Sequence, residues 1–391
     1  MVKKQTPVDY FNEFLESEKS SGVLLIICTA ISLLLANSPL SSAYLSIFNF
    51  TFGIESLHLR EPVLLWINDL LMSIFFLLVG LEIKREFVCG ELSSFKKGVL
   101  PIGVALGGMI FPALIFVMFN AGTDTISGWG IPMATDIAFA LGIISIAGKA
   151  VPYSLKVFLV ALAVVDDLGA IIVIAIFYTS NLALVNLLYA GICIVALFAM
   201  NKLKVKNIFL YFIPGIFLWY FIFLSGIHAT IAGVLLALMI PIFKNTDVSP
   251  LHRLEHALHK PVNFLIMPLF ALANTSIVLD SSFITSLLSN YSFGIMFGLF
   301  FGKPIGVLIS TWLLIKTKIA QFPDGAKWSQ IIGVGFLAGI GFTMSIFITT
   351  LAFTDFSIIE RAKFSILIAS LLSGIIGFII LKKNGRNIPS D

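Results

Sequence analysis

Two adjacent aspartates lie inside a stretch of the chain that is otherwise suited to lipid. Residues 157–177 read VFLVALAVVDDLGAIIVIAIF, with Asp166 and Asp167 near the middle. A charged side chain at the centre of a bilayer costs roughly 2.5 to 3.5 kcal/mol on insertion scales. A chain that places two such groups side by side must therefore bury them in protein or beside a water-filled cavity.

The whole chain has the composition of a membrane protein. Of its 391 residues, 58% are hydrophobic and only 12% are charged, whereas a soluble domain carries about a quarter charged residues. The net charge of +4 therefore gives no argument for a nucleic-acid partner. The three cysteines lie far apart and indicate neither a disulfide framework nor a zinc site, and we expect no cofactor.

Segments of about 20 apolar residues are long enough to cross a bilayer. Twelve are predicted, at approximately 22–37, 62–83, 98–119, 127–147, 155–178, 182–200, 207–223, 227–243, 257–277, 289–315, 330–352 and 359–381. We therefore expect an all-α polytopic membrane protein with a single integral domain over residues 1–391. Residues 1–21 and 382–391 are its predicted terminal segments.

The basic residues predict which side of the membrane each loop faces. Of 25 Lys and Arg residues, 21 fall on the side of both termini, while Arg60, Arg361 and Lys363 fall on the other side. Lys303 lies within a span. Because cytoplasmic loops carry the excess of Lys and Arg, both termini are predicted to be cytoplasmic.

The first outer loop, residues 44–62, is the longest connection with a pattern of its own. Apolar and polar residues partly alternate around Gly53. This pattern permits a small β-hairpin, and an irregular loop fits it equally well.

Four acids and one base remain inside the predicted spans. Once the charges at the span ends are assigned to the loops, these are Asp69, Asp136, Asp166, Asp167 and Lys303. Ionisable groups at membrane depth usually mark ion or proton paths. One lysine cannot neutralise four acids, so buried ion pairs alone do not explain the adjacent aspartates. Asp69 lies near a span end, where a structural pair and a role in a path are equally compatible with the sequence.

The geometry of a helix separates the roles of the adjacent aspartates. Neighbouring helical residues project about 100° apart, so one carboxyl can face a partner and the other a cavity. Ionised carboxylates offer the hard oxygen ligands that hard cations prefer, and neighbouring carboxyls take up protons as a pair. A site that holds either protons or a small cation exchanges one for the other. Lys303 either holds an aspartate in an ion pair or takes part in proton uptake.

Two of the predicted spans are interrupted. The breaks and their polar neighbours are Gly130, Pro132, Thr135 and Asp136 in the fourth span, and Gly339 and Gly341 in the eleventh. Each is the middle member of a three-span group, 3–5 and 10–12, and the groups enter the membrane from opposite sides. Paired breaks of this kind point to a midplane site in a transporter with inverted-topology repeats. Asp136 would suit the N-terminus of a half-helix, and Lys303 a C-terminus.

Seven motifs, in order along essentially the whole chain, carry a family resemblance. They are WINDLLMSIFFLLVGLEIKRE, IPMATDIAFALG, ALAVVDDLGAIIVIAIFYT, GIHATIAGV, RLEHALH, FGKPIG and LAGIGFTMSIF. Together they resemble the NhaA family of bacterial sodium/proton antiporters. That family is itself a known example of an inverted-repeat transporter, so the resemblance also implies this architecture.

The resemblance implies roles for individual residues. Asp167 matches the principal Na⁺ or Li⁺ ligand of the family, Asp166 matches its neighbour, and Lys303 matches the lysine that pairs with that neighbour. Thr135 and Asp136 match the polar pair at the broken helix, and Asp69 matches an aspartate of the ion path. The resemblance also implies electrogenic exchange across the bacterial inner membrane, with more protons entering than sodium ions leaving.

A cluster of charges at the inner ends of the second and ninth spans is a candidate pH sensor. Its members are Glu82, Arg85, Glu86, His252, Glu255, His256 and His259. Histidine titrates near physiological pH, but a solvated charge network would look the same in sequence. The resemblance favours the sensor, since all members except His252 match the family. His252 replaces an expected base such as lysine, so the activation pH is not carried over.

We therefore expect a pH-regulated, electrogenic antiporter that extrudes Na⁺ or Li⁺ in exchange for H⁺ by alternating access. Its partners would be these ions, the lipid bilayer and, by analogy, a second copy bound through residues 44–62. The alternative is a sodium-coupled symporter, which would show a roomier site lined by Asn, Gln, Ser and aromatic residues. An intramembrane aspartyl protease is not expected, because residues 339–342 read GIGF, with Phe where the catalytic acid would stand.

Overall fold

The computed structural model describes residues 18–179, 182–243, 249–279 and 287–385. Most of the predicted N-terminal segment (1–17) and the end of the predicted tail (386–391) lie outside the described residues. The described chain is predominantly helical, as predicted. Its α-helices are α1 Glu18–Ala36, α2 Ser41–Asn49, α3 Met72–Val88, α4 Phe95–Asn120, α5 Ile137–Ala147, α6 Tyr153–Phe177, α7 Leu184–Lys202, α8 Ile208–Phe223, α9 Ile231–Met239, α10 Pro250–Pro261, α11 Met267–Asn274, α12 Asn290–Phe297, α13 Lys303–Lys316, α14 Trp328–Ala338, α15 Phe342–Ala352 and α16 Phe356–Gly385.

Short irregular helical segments extend or join these helices. Wider π-type turns span Trp66–Leu71, Val262–Ile266 and Gly298–Gly302, and 3₁₀ turns span Glu55–Leu57, Glu91–Ser93, Asp124–Met133 and Gly148–Ala150. A single helical turn, Val63–Leu65, leads into the first π segment. The π turns are common at functional sites, where they re-aim side chains without ending a helix.

Seven helical segments of the described chain are long and apolar enough to cross a membrane. They are Val63–Val88, Phe95–Asn120, Asp124–Ala147, Tyr153–Phe177, Leu184–Lys202, Asn290–Lys316 and Phe356–Lys383. Two bent helix pairs raise the number to nine if each counts as one span. The bends are 114° between Ser20–Ala36 and Ser41–Asn49, and 43° between Trp328–Ala338 and Phe342–Ala352. The protein is therefore a multi-pass helical membrane protein.

The outer loop 44–62 contains the end of α2 and two short strands. Strands β1 (Thr51–Ile54) and β2 (Leu59–Pro62) pair antiparallel, with Thr51 opposite Pro62 and Ile54 opposite Leu59. Gly53 has φ +130°, and a Cβ there would lie 1.9 Å from the carbonyl oxygen of Leu59. Only glycine fits that position. All four residues of β1 are exposed.

A glycine contact brings α4 and α13 together beside the centre of the bundle. A Cβ on Gly306 would lie 2.4 Å from the carbonyl oxygen of Gly107, so the two backbones touch directly. Small residues let membrane helices approach this closely. Lys303 lies one turn before Gly306, and its ammonium lies close to Gly108. The close approach thus seats the lysine side chain inside the protein.

Lys363, which was counted among the loop residues of the outer side, lies inside the bundle. The side chain is 8% exposed, and its ammonium donates to the Asn274 side-chain oxygen at 3.2 Å. The Asn274 amide in turn donates to the Asn68 side-chain oxygen at 2.8 Å. Helix α16 begins at Phe356, so residue 363 lies two turns inside the helix. The predicted span 359–381 also contains it, but its charge was assigned to the adjoining loop. Without Lys363, the predicted excess of Lys and Arg in the loops on the side of the termini over those on the other side becomes larger.

Candidate functional site

The first predicted break is an extended stretch between two helical segments. The chain runs as a 3₁₀ helix over Asp124–Met133, is extended at residues 134–136, and resumes as α5 at Ile137. Pro132 lies at the end of the 3₁₀ segment, where its missing N–H group prevents a continuous α-helix. Asp136 caps α5, because its Oδ1 accepts the backbone N–H of Phe139 at 3.0 Å. The break thus exposes a helix N-terminus at membrane depth.

The second predicted break lies between α14 and α15. Helix α14 ends at Ala338, and α15 begins at Phe342. A Cβ on Gly339 would lie 2.4 Å from the carbonyl oxygen of Leu299. A Cβ on Gly341 would lie 2.1 Å from the Ser345 hydroxyl. Both glycines are therefore required by close packing at the 43° bend.

The two breaks are hydrogen-bonded to each other. The backbone N–H of Asp136 donates to the carbonyl oxygen of Ile340 at 2.7 Å. The Thr343 N–H donates to Asp136 Oδ2 at 3.1 Å, and the Thr343 hydroxyl donates to the same oxygen. The Asp136 carboxylate therefore lies at the N-termini of both α5 and α15. Unpaired N–H groups and aligned peptide dipoles favour a negative charge there.

Asp166 is held by a buried lysine. The Lys303 ammonium lies 2.6 Å from Asp166 Oδ2, and both side chains are fully buried. The Thr135 hydroxyl lies 2.8 Å from the same oxygen and 2.8 Å from the carbonyl oxygen of Ala338, which ends α14. Because Thr135 has one hydroxyl proton, it donates to one of these oxygens at a time. The Asp166 charge is thus compensated by a cation and a hydroxyl group.

Asp167 projects in another direction and faces a cavity. Its side chain is 2% exposed, and within the described part of the chain its Oδ1 has no hydrogen-bond partner. The cavity has a volume of about 240 Å³. A buried polar atom without a partner costs about 1 to 3 kcal/mol, and more when charged. Such an atom in a native protein calls for an explanation, and a role in binding is one.

The same cavity joins the buried acids to the predicted sensor cluster. At its deep end lie Thr135, Asp136, Asp167 and Thr343, and at its other end lie Glu82, Arg85, Glu255 and His259. Apolar side chains such as Phe75 and Val164 form the walls between the two ends. Two groups of residues that lie far apart in the sequence therefore border one space.

Ion pairs organise the cluster at the cavity mouth. Arg85 bridges two acids, donating to Glu86 Oε1 at 2.9 Å and to Glu255 Oε1. Burial raises the pKa of the Glu255 carboxyl above its usual range, and the neighbouring Arg85 guanidinium opposes that rise. The Nδ1 of His252 is buried without a hydrogen-bond partner among the described residues. Of the predicted sensor residues, Glu86, His252 and His256 do not line the cavity.

Asp69 does not belong to this site. It lies in the π segment Trp66–Leu71, at the opposite end of the span that carries Glu82. Its Oδ1 lies 3.7 Å from His228 Nδ1. The rings of Phe76 and Phe347, 5.4 Å apart, lie deeper in the bundle, and Phe347 packs against the His228 ring. The cavity that borders Asp167 therefore includes the cluster residues Glu82, Arg85, Glu255 and His259 and does not extend to Asp69.

Sequence reasoning missed several uncharged partners of the site. Thr343 bonds Asp136 twice but carries no charge, and only its position two residues after Gly341 could have drawn attention to it. The Asn68–Asn274–Lys363 chain likewise combines two ordinary amides with a lysine that looked like a loop residue. The sequence did identify Lys303 as a residue of the site, although its side chain does not border the cavity.

Comparison with known proteins gives a consistent family assignment. A family model described as Na⁺/H⁺ antiporter 1 matches residues 12–381. The Na⁺/H⁺ antiporter NhaA 2 of Flavobacterium johnsoniae is 53% identical over 380 residues, covering 96% of this chain and 93% of that protein. The Na⁺/H⁺ antiporter NhaA of Flavobacterium psychrophilum is 54% identical over 372 residues, 95% of each. A protein of the same name from Pelagibacter ubique is 48% identical over 376 residues, 95% of this chain and 96% of its own.

Proposed function

This chain belongs to the Na⁺/H⁺ antiporter 1 family, and on that basis and the geometry above we propose that it exchanges Na⁺ for H⁺ across a membrane. The family consists of transporters rather than enzymes. The observation that carries the proposal is the Asp167 carboxyl, which is buried at membrane depth and faces a cavity without a hydrogen-bond partner among the described residues. A cation or a proton would complete it.

Asp167 acts as the principal ligand of Na⁺ or Li⁺, with Thr135, Asp136 and Asp166 beside it. Carboxylate and hydroxyl oxygens are the donors that a hard cation prefers. The Asp136 carboxylate is already bound by two helix N-termini, and Asp166 by Lys303. Asp167 is the acid left to take the cargo. Because a proton and a cation cannot occupy the same oxygen, binding one releases the other, which is the basis of exchange.

Lys303 serves as the counter-ion of Asp166. The 2.6 Å contact supports this holding role over proton uptake by the lysine itself. A buried carboxylate keeps its charge only when it is paired and hydrogen-bonded. Lys303 and Thr135 supply both, so that only one of the adjacent aspartates changes its occupant during the cycle.

Transport proceeds by alternating access in a twelve-span protein. Spans 3–5 and 10–12 form inverted-topology repeats whose broken members, α5 and α14–α15, cross at the site. The cavity leads to the basic side of the membrane, which we assign to the cytoplasm of a bacterial inner membrane with both termini on that side. More protons enter than sodium ions leave, and each net positive charge that enters releases about 2.3 kcal/mol of free energy per 100 mV of membrane potential. A hairpin of β1 and β2, with its exposed face, provides the contact for a homodimer.

A sodium-coupled symporter of an organic solute is not favoured. The cavity of about 240 Å³ is smaller than the roughly 300 to 1,000 Å³ typical of small-molecule pockets. Its deep end offers carboxylates and hydroxyl groups rather than amides and aromatic faces. These features suit a small ion.

Transport in everted membrane vesicles tests the function directly. Vesicles from cells expressing the protein are energised to an acid interior and followed with a pH-sensitive dye between pH 6.5 and 8.5. Addition of NaCl or LiCl is expected to restore dye fluorescence rapidly, and KCl to have little effect. Vesicles without the protein provide the control. Absence of a response to sodium at every pH, from protein shown to be inserted, would overturn the antiporter assignment.

We also propose that the cluster at the cavity mouth sets the pH of activation. Glu255 is the acid of the cluster that lies outside the membrane-crossing candidates, and burial raises its pKa. The charged and titratable groups that face it are Arg85 and Glu86 on α3, with Glu82 one turn away, and His252 and His256 on its own helix. On loss of its proton, Glu255 strengthens the bridge to Arg85 across the mouth of the cavity.

Substitution of Glu255 with Gln is expected to move activation to more alkaline pH. The sign follows from the direction of the pKa: a raised pKa means that the carboxyl keeps its proton as pH rises, and Gln retains this neutral state at every pH. The other titratable groups of the cluster must then lose the proton that Glu255 would have lost. We expect the activation pH to rise by about one unit, which is the usual spread of a carboxyl pKa in proteins. The pH profile of dye dequenching measures it, with Glu55→Gln, the same change at an exposed residue of the outer loop, as control. An unchanged profile would contradict the role of Glu255.

A further inference from the structure

A second cavity, of about 430 Å³, lies on the surface of the bundle between α1, α5 and α16. Side chains on its rim are among the exposed apolar groups of the protein: Ile26 is 48% exposed, Ile146 is 52% exposed and Leu371 is 62% exposed. All three helices belong to membrane-crossing candidates. The cavity is therefore a groove that opens sideways towards lipid.

The polar side chains of the groove already have partners within the protein. Of its lining residues in the described chain, Thr29 and Ser370 alone have polar side chains. The Thr29 hydroxyl donates to the carbonyl oxygen of Leu25 at 2.8 Å, and the Ser370 oxygen accepts the backbone N–H of Phe342 at 3.1 Å. A polar ligand would lose its own hydrogen bonds at membrane depth without replacement. The occupant is therefore a hydrocarbon chain.

The length and mouth of the groove match one leaflet of a bilayer. Along α16 the lining runs from Leu367 to Phe378, which is ~16 Å at the rise of an α-helix. The hydrocarbon core of a bilayer is about 30 Å thick, so the groove spans about half of it. At the Phe378 end, the Lys382 ammonium lies 5.2 Å from the ring centroid. A cation thus stands at the level where a lipid headgroup would lie.

We propose that this groove binds one acyl chain of an anionic phospholipid, taken from the leaflet on the Lys382 side, with its headgroup phosphate beside Lys382. The long apolar cleft holds the chain, and the ammonium selects an anionic headgroup. Juxtamembrane lysines attract anionic lipids by about 1 kcal/mol each. The site is distinct from the ion cavity, and the proposal does not depend on the transport function.

The deep end of the groove lies directly behind the crossing of the broken helices. The rings of Phe139 and Phe342 close it, with centroids 5.4 Å apart in an edge-to-face arrangement. The Phe139 N–H is the same group that binds Asp136 Oδ1. Ala138 and Thr343, the neighbours of the two rings in sequence, line the ion cavity on the other side. A bound acyl chain therefore packs against the back of the wall whose front binds Asp136.

Lipid retention measured by native mass spectrometry of the purified full-length protein tests the site. Phosphatidylglycerol and phosphatidylcholine of identical acyl chains are the probes. Ala30→Phe fills the groove, and Ile27→Phe adds a ring to the exposed face of the same helix beside it. Lys382→Gln removes the cation at the mouth, and Lys316→Gln removes a lysine that lies on Trp312 at the end of another span. In each pair the first variant changes a residue at the groove and the second changes a residue outside its lining.

The expected result is one tightly held phosphatidylglycerol in the unmodified protein and in both control variants. Ala30→Phe should hold it about tenfold more weakly or worse, and Lys382→Gln should lose the preference over phosphatidylcholine. Equal retention by Ala30→Phe and Ile27→Phe would overturn the groove site. Equal retention of the two lipids by the unmodified protein would overturn the headgroup assignment. Ala30→Leu fills the groove less severely and replaces Ala30→Phe should the latter fail to fold.

Discussion

Asp167→Asn is expected to abolish sodium-dependent proton exchange while the protein remains folded and inserted. The amide has nearly the shape of the carboxyl but can neither carry the charge that binds a cation nor exchange a proton. The side chain forms no ion pair in the described structure, so the substitution removes no stabilising contact there. It instead removes the charge of a buried oxygen that has no hydrogen-bond partner among the described residues, so stability should be unchanged or improved.

Two measurements separate loss of function from loss of structure. Dye dequenching after addition of NaCl should fall to the level of vesicles that lack the protein, at every pH between 6.5 and 8.5. The thermal unfolding midpoint of the purified variant should not decrease. Asp124→Asn provides the matched control, because it is the same chemical change at an exposed residue on the protein surface. Exchange at the unmodified rate by Asp167→Asn would show that the cargo is bound elsewhere.

The membrane-spanning class and the polar centre of the protein were readable in the sequence because both depend on polarity alone. Apolar runs of sufficient length identify spans, and charges within them stand out from their surroundings. The helical repeat further required Asp166 and Asp167 to face different directions. Which of the two faces the cavity is a different question. It depends on where Lys303 lies, 137 positions further along the chain, and the sequence does not show that distance in space.

The uncharged contacts of the site could not be read in the same way. Thr343 and Asn274 are ordinary polar residues in helices, and apart from the nearness of Thr343 to Gly341 nothing in their local sequence separates them from others that face backbone carbonyls. Their importance arises only when α15 meets α5, or when α11 meets α16. Lys363 was counted as a loop residue because a positive residue near the end of an apolar run usually is one, whereas here its ammonium donates a hydrogen bond to the Asn274 side-chain oxygen inside the bundle.

The three buried acids of the site differ in how their charges are compensated, and this explains how the bundle tolerates them. Asp136 lies at two helix N-termini, and Asp166 pairs with Lys303. The Oδ1 atoms of Asp166 and Asp167 both lack a hydrogen-bond partner among the described residues. Asp166 has the Lys303 ammonium at its other oxygen, whereas Asp167 forms no ion pair in the described structure. This division supports our proposal that the Lys303–Asp166 pair stabilises the site and takes no part in the cargo exchange.

Replacing Lys303 with Met should therefore destabilise the protein strongly, and replacing its partner as well should largely restore it. Removal of one member of a buried ion pair costs about 3 to 5 kcal/mol, because the other charge is left uncompensated. Lys303→Met leaves the Asp166 carboxylate with the Thr135 hydroxyl alone, and Asp166→Asn leaves the ammonium without an acid. In the double variant neither charge remains, and a neutral amide replaces the carboxylate beside Thr135.

Thermal unfolding of the four proteins in one detergent measures this coupling. Each single substitution should lower the unfolding midpoint by several degrees, and the double variant should recover most of the loss, which two independent sites would not do. Lys316→Met, on the exposed end of the same helix, should leave the midpoint unchanged. Additive losses in the double variant would show that Lys303 stabilises the bundle through contacts other than Asp166. A strong recovery would instead establish that the lysine neutralises one aspartate of the adjacent pair, which leaves the charge of Asp167 for the transported ion.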